Sequence, residues 1–107
     1  MYIVYNEYDL LELFGNDPVY IGEKEAGICF YSCKDRLGLN LTLSLSIYEN
    51  ECDISLDFNN KVIFHFNLKD VSSFNLNNKT LHINRIDNDR TLIIGFSPNF
   101  TLNIENI

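Results

Sequence analysis

Five side chains in this sequence have the right types to ligate a soft metal or to act as nucleophile and base: Cys29, Cys33, Cys52, His65 and His82. A zinc site needs ligand pairs at short spacing. Cys29-x-x-x-Cys33 is one such pair, and no second pair follows it. Alternation sorts Cys52 with Ile54 and Leu56 onto an apolar face and His65 onto a polar one, so neither a metal nor another cofactor is expected. Nucleophilic catalysis is no better served, because the chain has no G-x-S-x-G elbow and no glycine-rich phosphate loop. Ser55 and His65 can meet across neighbouring strands. Without an orienting carboxylate or an oxyanion hole, such a contact is a surface pair and not a catalytic one. Asp87-Asn88-Asp89 reads as turn chemistry. The residues therefore predict a protein that is not an enzyme.

A binding surface is the stronger reading. Glu49, Glu51, Asp53 and Asp57 share one parity, which places them on the outer face of one strand and its lead-in. Glu23 and Glu25 repeat the pattern earlier, and Tyr20, Tyr31 and Tyr48 lie close to these acids in sequence. Carboxylates around a few aromatic anchors are how a protein captures a basic partner. The candidate partner-binding set is Glu23, Glu25, Tyr48, Glu49, Glu51, Asp53, Asp57 and His65. The alternative for the same residues is a solvated sheet face whose charges serve solubility.

The elements that must carry this surface are mostly strands. Near the start, Asn6 can cap a helix with Asp9 in its first turn, and Leu10, Leu11, Leu13 and Phe14 precede a stop at Gly15. After Pro18 the apolar period becomes two. Leu37, Leu39, Leu41, Leu43, Leu45 and Ile47 alternate with polar residues as one long strand, and Cys52, Ile54, Leu56 and Phe58 form a second. Val62, Phe64, Phe66 and Leu68 make a third, and Leu92–Phe96 and Phe100–Ile104 continue the pattern. At Asn59-Asn60, face matching favours a three-residue loop that pairs Phe58 with Val62, Leu56 with Phe64 and Ser55 with His65. Between Val19 and Tyr31, Ala26, Ile28 and Phe30 share one face and Val19 and Ile21 have the other parity, so a break near Gly22 is expected. The fold class predicted is mostly β: an antiparallel β-sandwich or strongly curved sheet of seven or eight strands, with one short N-terminal helix. Residues 1–107 form one domain on this reading.

Charge narrows the partners. Fifteen Asp and Glu stand against eight Lys and Arg, a net charge of −7 with no basic run. Phosphate binding needs cations to displace counterions, so direct nucleic-acid binding is not expected, nor is adhesion to anionic membrane. Three cysteines form no even disulfide framework, and the first residues lack a signal-peptide pattern. The expected location is the cytoplasm.

The order of these features resembles a known family. A short helix ends in Phe14-Gly15, followed by Asn16-Asp17-Pro18 and an acid-bearing strand from Glu23 to Phe30. Alternating strands follow, then Asp70-Val71-Ser72-Ser73-Phe74-Asn75-Leu76-Asn77-Asn78 and Leu81-His82-Ile83. This is similar to the small all-β immunity proteins of bacterial polymorphic-toxin systems, including contact-dependent growth inhibition. The resemblance implies a cytoplasmic antidote that binds a cognate basic toxin domain, often a nuclease, and covers its active site. The rival readings are a small-molecule-binding β domain and an adaptor subunit that offers an edge strand, with Asn99–Ile107 as the candidate edge.

Overall fold

The computed structural model describes residues 2–86 and 88–105. Helix α1 runs Glu7–Phe14. The Asn6 side chain accepts the Tyr8 N–H at 2.8 Å, and Gly15 closes the helix at φ 72°, its N–H reaching Leu11 O. Both ends are therefore built as the sequence predicts.

Among the described residues nine strands follow, where alternation predicts seven or eight: β1 (Val19–Tyr20), β2 (Ile28–Lys34), β3 (Asn40–Ser46), β4 (Glu51–Phe58), β5 (Lys61–Leu68), β6 (Val71–Asn77), β7 (Thr80–Arg85), β8 (Asn88–Gly95) and β9 (Thr101–Glu105). They form two antiparallel sheets with simple meander order, β1-β2-β3-β4-β5 and β6-β7-β8-β9. Neither sheet closes on itself, and the mostly-β class with one short helix is as expected. The N-terminal segment ties the sheets together. Ile3 N–H donates to Ile47 O, Val4 N–H donates to Ser72 O, and Phe74 N–H donates to Val4 O.

Buried apolar side chains from both sheets form one cluster. Leu41, Leu43 and Leu45 of β3 and Cys52 and Ile54 of β4 face Val71, Phe74, Leu81, Ile83, Leu92 and Ile94 of the second sheet's inner face. Each fully buried leucine or isoleucine there contributes roughly 1.5–3 kcal/mol. Leu10 and Phe14 of α1 enter the same cluster. The Phe14 ring lies 5.4 Å from Tyr31 and edge-on to Phe96 at 5.0 Å, so the helix is held by the sandwich it plugs.

Several sequence expectations are corrected. First, the acid-bearing strand read from Glu23 to Phe30 begins only at Ile28, with Lys24–Ala26 in a 3-10 turn; Ile28 and Phe30 do share one face, the outer one, and Cys29 and Tyr31 point inward. Gly22 at φ 77° and a 3-10 turn at Lys24–Ala26 do supply the expected break. Second, β3 is shorter than the leucine alternation. The Asp35 carboxylate accepts the Leu37 and Leu39 N–H groups at 2.9 and 3.0 Å, which makes Leu37–Leu39 a turn with Gly38 at φ 89°. A 3-10 turn takes Ile47–Glu49 at the other end. Third, the β4–β5 loop has two residues. Asn59 and Asn60 both adopt positive φ, and Phe58 pairs with Lys61. An extra residue at Ile63 then restores the expected pairing of Leu56 with Phe64. Val62 consequently faces outward and is 66% exposed. Of the triplet Asp87-Asn88-Asp89, read as turn chemistry, Asn88 and Asp89 instead open β8, and Asp87 lies outside the described residues, as do Asn106 and Ile107 of the candidate edge. The rest of that edge, β9, does occupy the end of its sheet.

Candidate protein-binding surface

The outer face of the five-stranded sheet is assembled by register. One row runs Val19, Phe30, Ser44, Asp53, Asn67; the next runs Ser32, Thr42, Ser55, His65; a third runs Lys34, Asn40, Asp57, Val62. At the near end, Ile28, Ser46 and Glu51 align, with Ile21 bonded to Ile28 O beside them. Strand pleating therefore brings Glu51, Asp53 and Asp57 onto one face, as their parity predicts, and places His65 beside them on β5.

The carboxylates are held in place by neighbours. Asp53 Oδ1 accepts Asn67 Nδ2 at 2.9 Å and lies 3.2 Å from His65 Nε2. Asp57 Oδ1 accepts Asn40 Nδ2 at 3.4 Å. The His65–Asp53 contact is solvent-exposed on both sides, so it orients the pair more than it stabilises the fold. Ser55 is opposite His65 in register as expected, while the imidazole engages Asp53.

The remaining candidates sit on two turns that meet at the end of this face. Glu23 precedes and Glu25 lies within the 3-10 turn Lys24–Ala26, both exposed. Tyr48 and Glu49 lie in the turn Ile47–Glu49, also exposed. Ile47 N–H donates to Gly27 O, which joins the two turns. Gly27 is required there: a Cβ would stand 2.8 Å from Tyr48 Cε2, and its φ is 75°. Tyr48 covers that glycine and meets Tyr2 edge-on at 6.2 Å, yet stays 62% exposed. Glu49 precedes Asn50, which is in the left-handed region, so its place follows from the turn and not from strand parity.

Tyr31 is not an anchor. It is 2% exposed and packs against Phe14. What sequence reasoning missed is an apolar flank, with exposed Val19, Ile21 and Ile28 beside half-buried Phe30, set apart from the β4 carboxylates by Ser44 and Ser46 of β3. Both parities of Ile28-Cys29-Phe30-Tyr31 are apolar, so alternation carries no signal there.

The soft ligands do not converge. Cys29 and Cys52 face the core and Cys33 lies on the same side of its sheet, while His65 and His82 point out of the two different sheets. Among the described residues, no group of three or more His, Cys, Asp or Glu could hold a metal. Burial pushes the Cys52 thiol up to about 12, with Asp53 adding to it, and the Cys33 thiol up to about 11, with Asp35 adding to it. Burial raises Cys29 as well. Such thiols stay protonated near neutral pH and are poor nucleophiles. Clefts of about 460, 740 and 270 Å³ border α1 among the described residues. No helix among the described residues is long and apolar enough to cross a membrane.

A scan against protein-family models found no match, nor did a search of curated proteins. Among solved structures, the protein is similar to a chain of the contact-dependent growth inhibition toxin–immunity protein complex from Klebsiella pneumoniae 342. The TM-score is 0.83 at 23% identity, with 100% of both chains covered. Identity at that level makes this a likeness of fold, and it spans every element from α1 to β9.

Proposed function

We propose that this chain is the immunity half of a contact-dependent growth inhibition pair and neutralises a cognate toxin by direct binding. The observation that carries the reading is the full-length fold likeness to a chain of a toxin–immunity complex. A complex of that kind has two halves, and the net charge of −7 favours the antidote, since it suits a protein that covers a basic surface. The binding face on this reading is the outer face of the first sheet with its end turns. Glu51, Asp53, Asp57, Glu23, Glu25 and Glu49 supply charge, His65 orients Asp53, and Tyr48 anchors.

The toxin is a nuclease on this proposal. Its cleft is basic because it must hold phosphates, and the carboxylate face competes with nucleic acid for it. The protein acts in the cytoplasm as a single domain, without catalysis. The test is growth. Cells expressing the toxin domain encoded beside this chain's gene should recover when the chain is co-expressed, and the chain alone should leave growth unchanged. Growth arrest by the chain alone would assign it to the toxin half. Failure to rescue would remove the antidote reading.

A further inference from the structure

The cleft of about 270 Å³ between α1 and β1 has a chemistry of its own. Tyr8, Tyr20 and Tyr31 wall it, the carboxylates of Glu7 and Asp17 border it, and Lys24 reaches it from the 3-10 turn. It falls just below the roughly 300–1,000 Å³ of drug-sized ligand sites, so it suits one long side chain. It is also already used by a cation. Lys24 Nζ stands 5.6 Å above the Tyr20 ring centroid, within cation–π range. Among the described residues, no ion pair engages Glu7 or Asp17.

Formal charge around the cleft is negative, with Glu7 and Asp17 bordering it against Lys24. The N-terminus of α1 opposes this with about half a positive charge, which Glu7 and Asp9 in its first turn outweigh. Tyr8, 80% exposed, leaves the mouth open.

We infer that this cleft is the anchor site for a single arginine side chain of the partner protein, with Lys24 as the intramolecular cation that the arginine displaces. A planar guanidinium can lie on the Tyr20 face while its fork of donors meets Glu7 and Asp17, which an ammonium cannot do. The inference takes the existence of a protein partner from the function proposed above, but its test needs no toxin.

The probe is the blocked tripeptide acetyl-Gly-Arg-Gly-amide, titrated into the isotope-labelled full chain and followed by NMR. The expected result is saturable shifts at the rings of Tyr8, Tyr20 and Tyr31 and the amide of Asp17, with a Kd of about 1–10 mM. The norleucine analogue should not shift them. Lys24→Ala should tighten binding by about threefold or more by removing the competitor, and Glu7→Gln with Asp17→Asn should weaken it about tenfold. All three positions are exposed, so these variants keep the fold. Non-saturating shifts, equal response to norleucine, no gain in Lys24→Ala, or shifts centred on β4 would each overturn the site. Tighter binding of 1,5-diaminopentane than of the peptide would reassign the cleft to a small free cation and also overturn it. Loss of toxin rescue with intact peptide binding would instead count against the proposed function alone.

Discussion

Reversing Asp53 separates a specific carboxylate face from net charge. Asp53→Lys removes the acceptor of Asn67 Nδ2 and the neighbour of His65 Nε2. Both contacts are on the surface, where each contributes about 0.2–1 kcal/mol, so the variant should lose no more than about 2 kcal/mol of stability. Asp53 sits mid-face, one pleat from Glu51 and two from Asp57, and the reversal shifts the net charge from −7 to −5, since it removes one negative and adds one positive. Glu12→Lys makes the same change in net charge at an exposed site on α1, away from this face. The assay is stopped-flow association with the cognate toxin domain across a salt series. At about 10 mM salt the Debye length is about 30 Å, so the face acts at long range; at about 1 M it is about 3 Å, so the effect should vanish. Asp53→Lys should slow association roughly tenfold at the low-salt end and flatten its salt dependence, while Glu12→Lys should slow it less than about twofold. Equal slowing by both variants would refute the face and leave only bulk charge.

Three further outcomes test the framework. Phe14→Ala empties the site between Tyr31 and Phe96 and should cost about 3–5 kcal/mol in urea unfolding; a loss under about 1 kcal/mol would mean α1 is not held by the core. Lys79 sits at φ 61° in the β6–β7 turn, so Lys79→Gly should stabilise by about 0.5–1 kcal/mol, read as a higher urea midpoint at unchanged slope. Burial raises Cys52 from 9.0 to about 12, so the folded state keeps a proton that the unfolded state releases. Its stabilisation is complete below about pH 9 and is lost as pH rises toward 12, at up to about 1.4 kcal/mol per unit. Unfolding free energy measured from pH 8 to 10.5 should fall, and Cys52→Val should reduce the slope; an unchanged slope would exclude the thiol.

Much of the scaffold is legible in the residues because local chemistry and burial agree there. Asn6 and Gly15 mark both ends of α1, and β3 and β4 bury one parity of their side chains. Legibility fails where two solutions satisfy the same local rule. β2 is apolar on both faces, and only its pairing with β1 and β3 decides that Tyr31 goes in and Phe30 stays out. The Asn59-Asn60 turn keeps its two-residue form because a bulge at Ile63, invisible to alternation, repairs the register afterwards. The carboxylates of β4 were readable because strand parity alone places them. The union of the Glu23–Glu25 and Tyr48–Glu49 turns was not, since it depends on Gly27 meeting Tyr48 across the fold. The α1–β1 cleft was hidden for the same reason, being made by the docking of a helix that sequence places but does not orient.

The most direct measurement is titration of the purified toxin domain's activity with this protein. Neutralisation by direct binding predicts that activity falls linearly and vanishes near one equivalent, with a complex of that stoichiometry recovered by size-exclusion chromatography at about 0.1 M salt. Full toxin activity in the presence of about a tenfold excess of the folded protein, with no complex recovered, would contradict it.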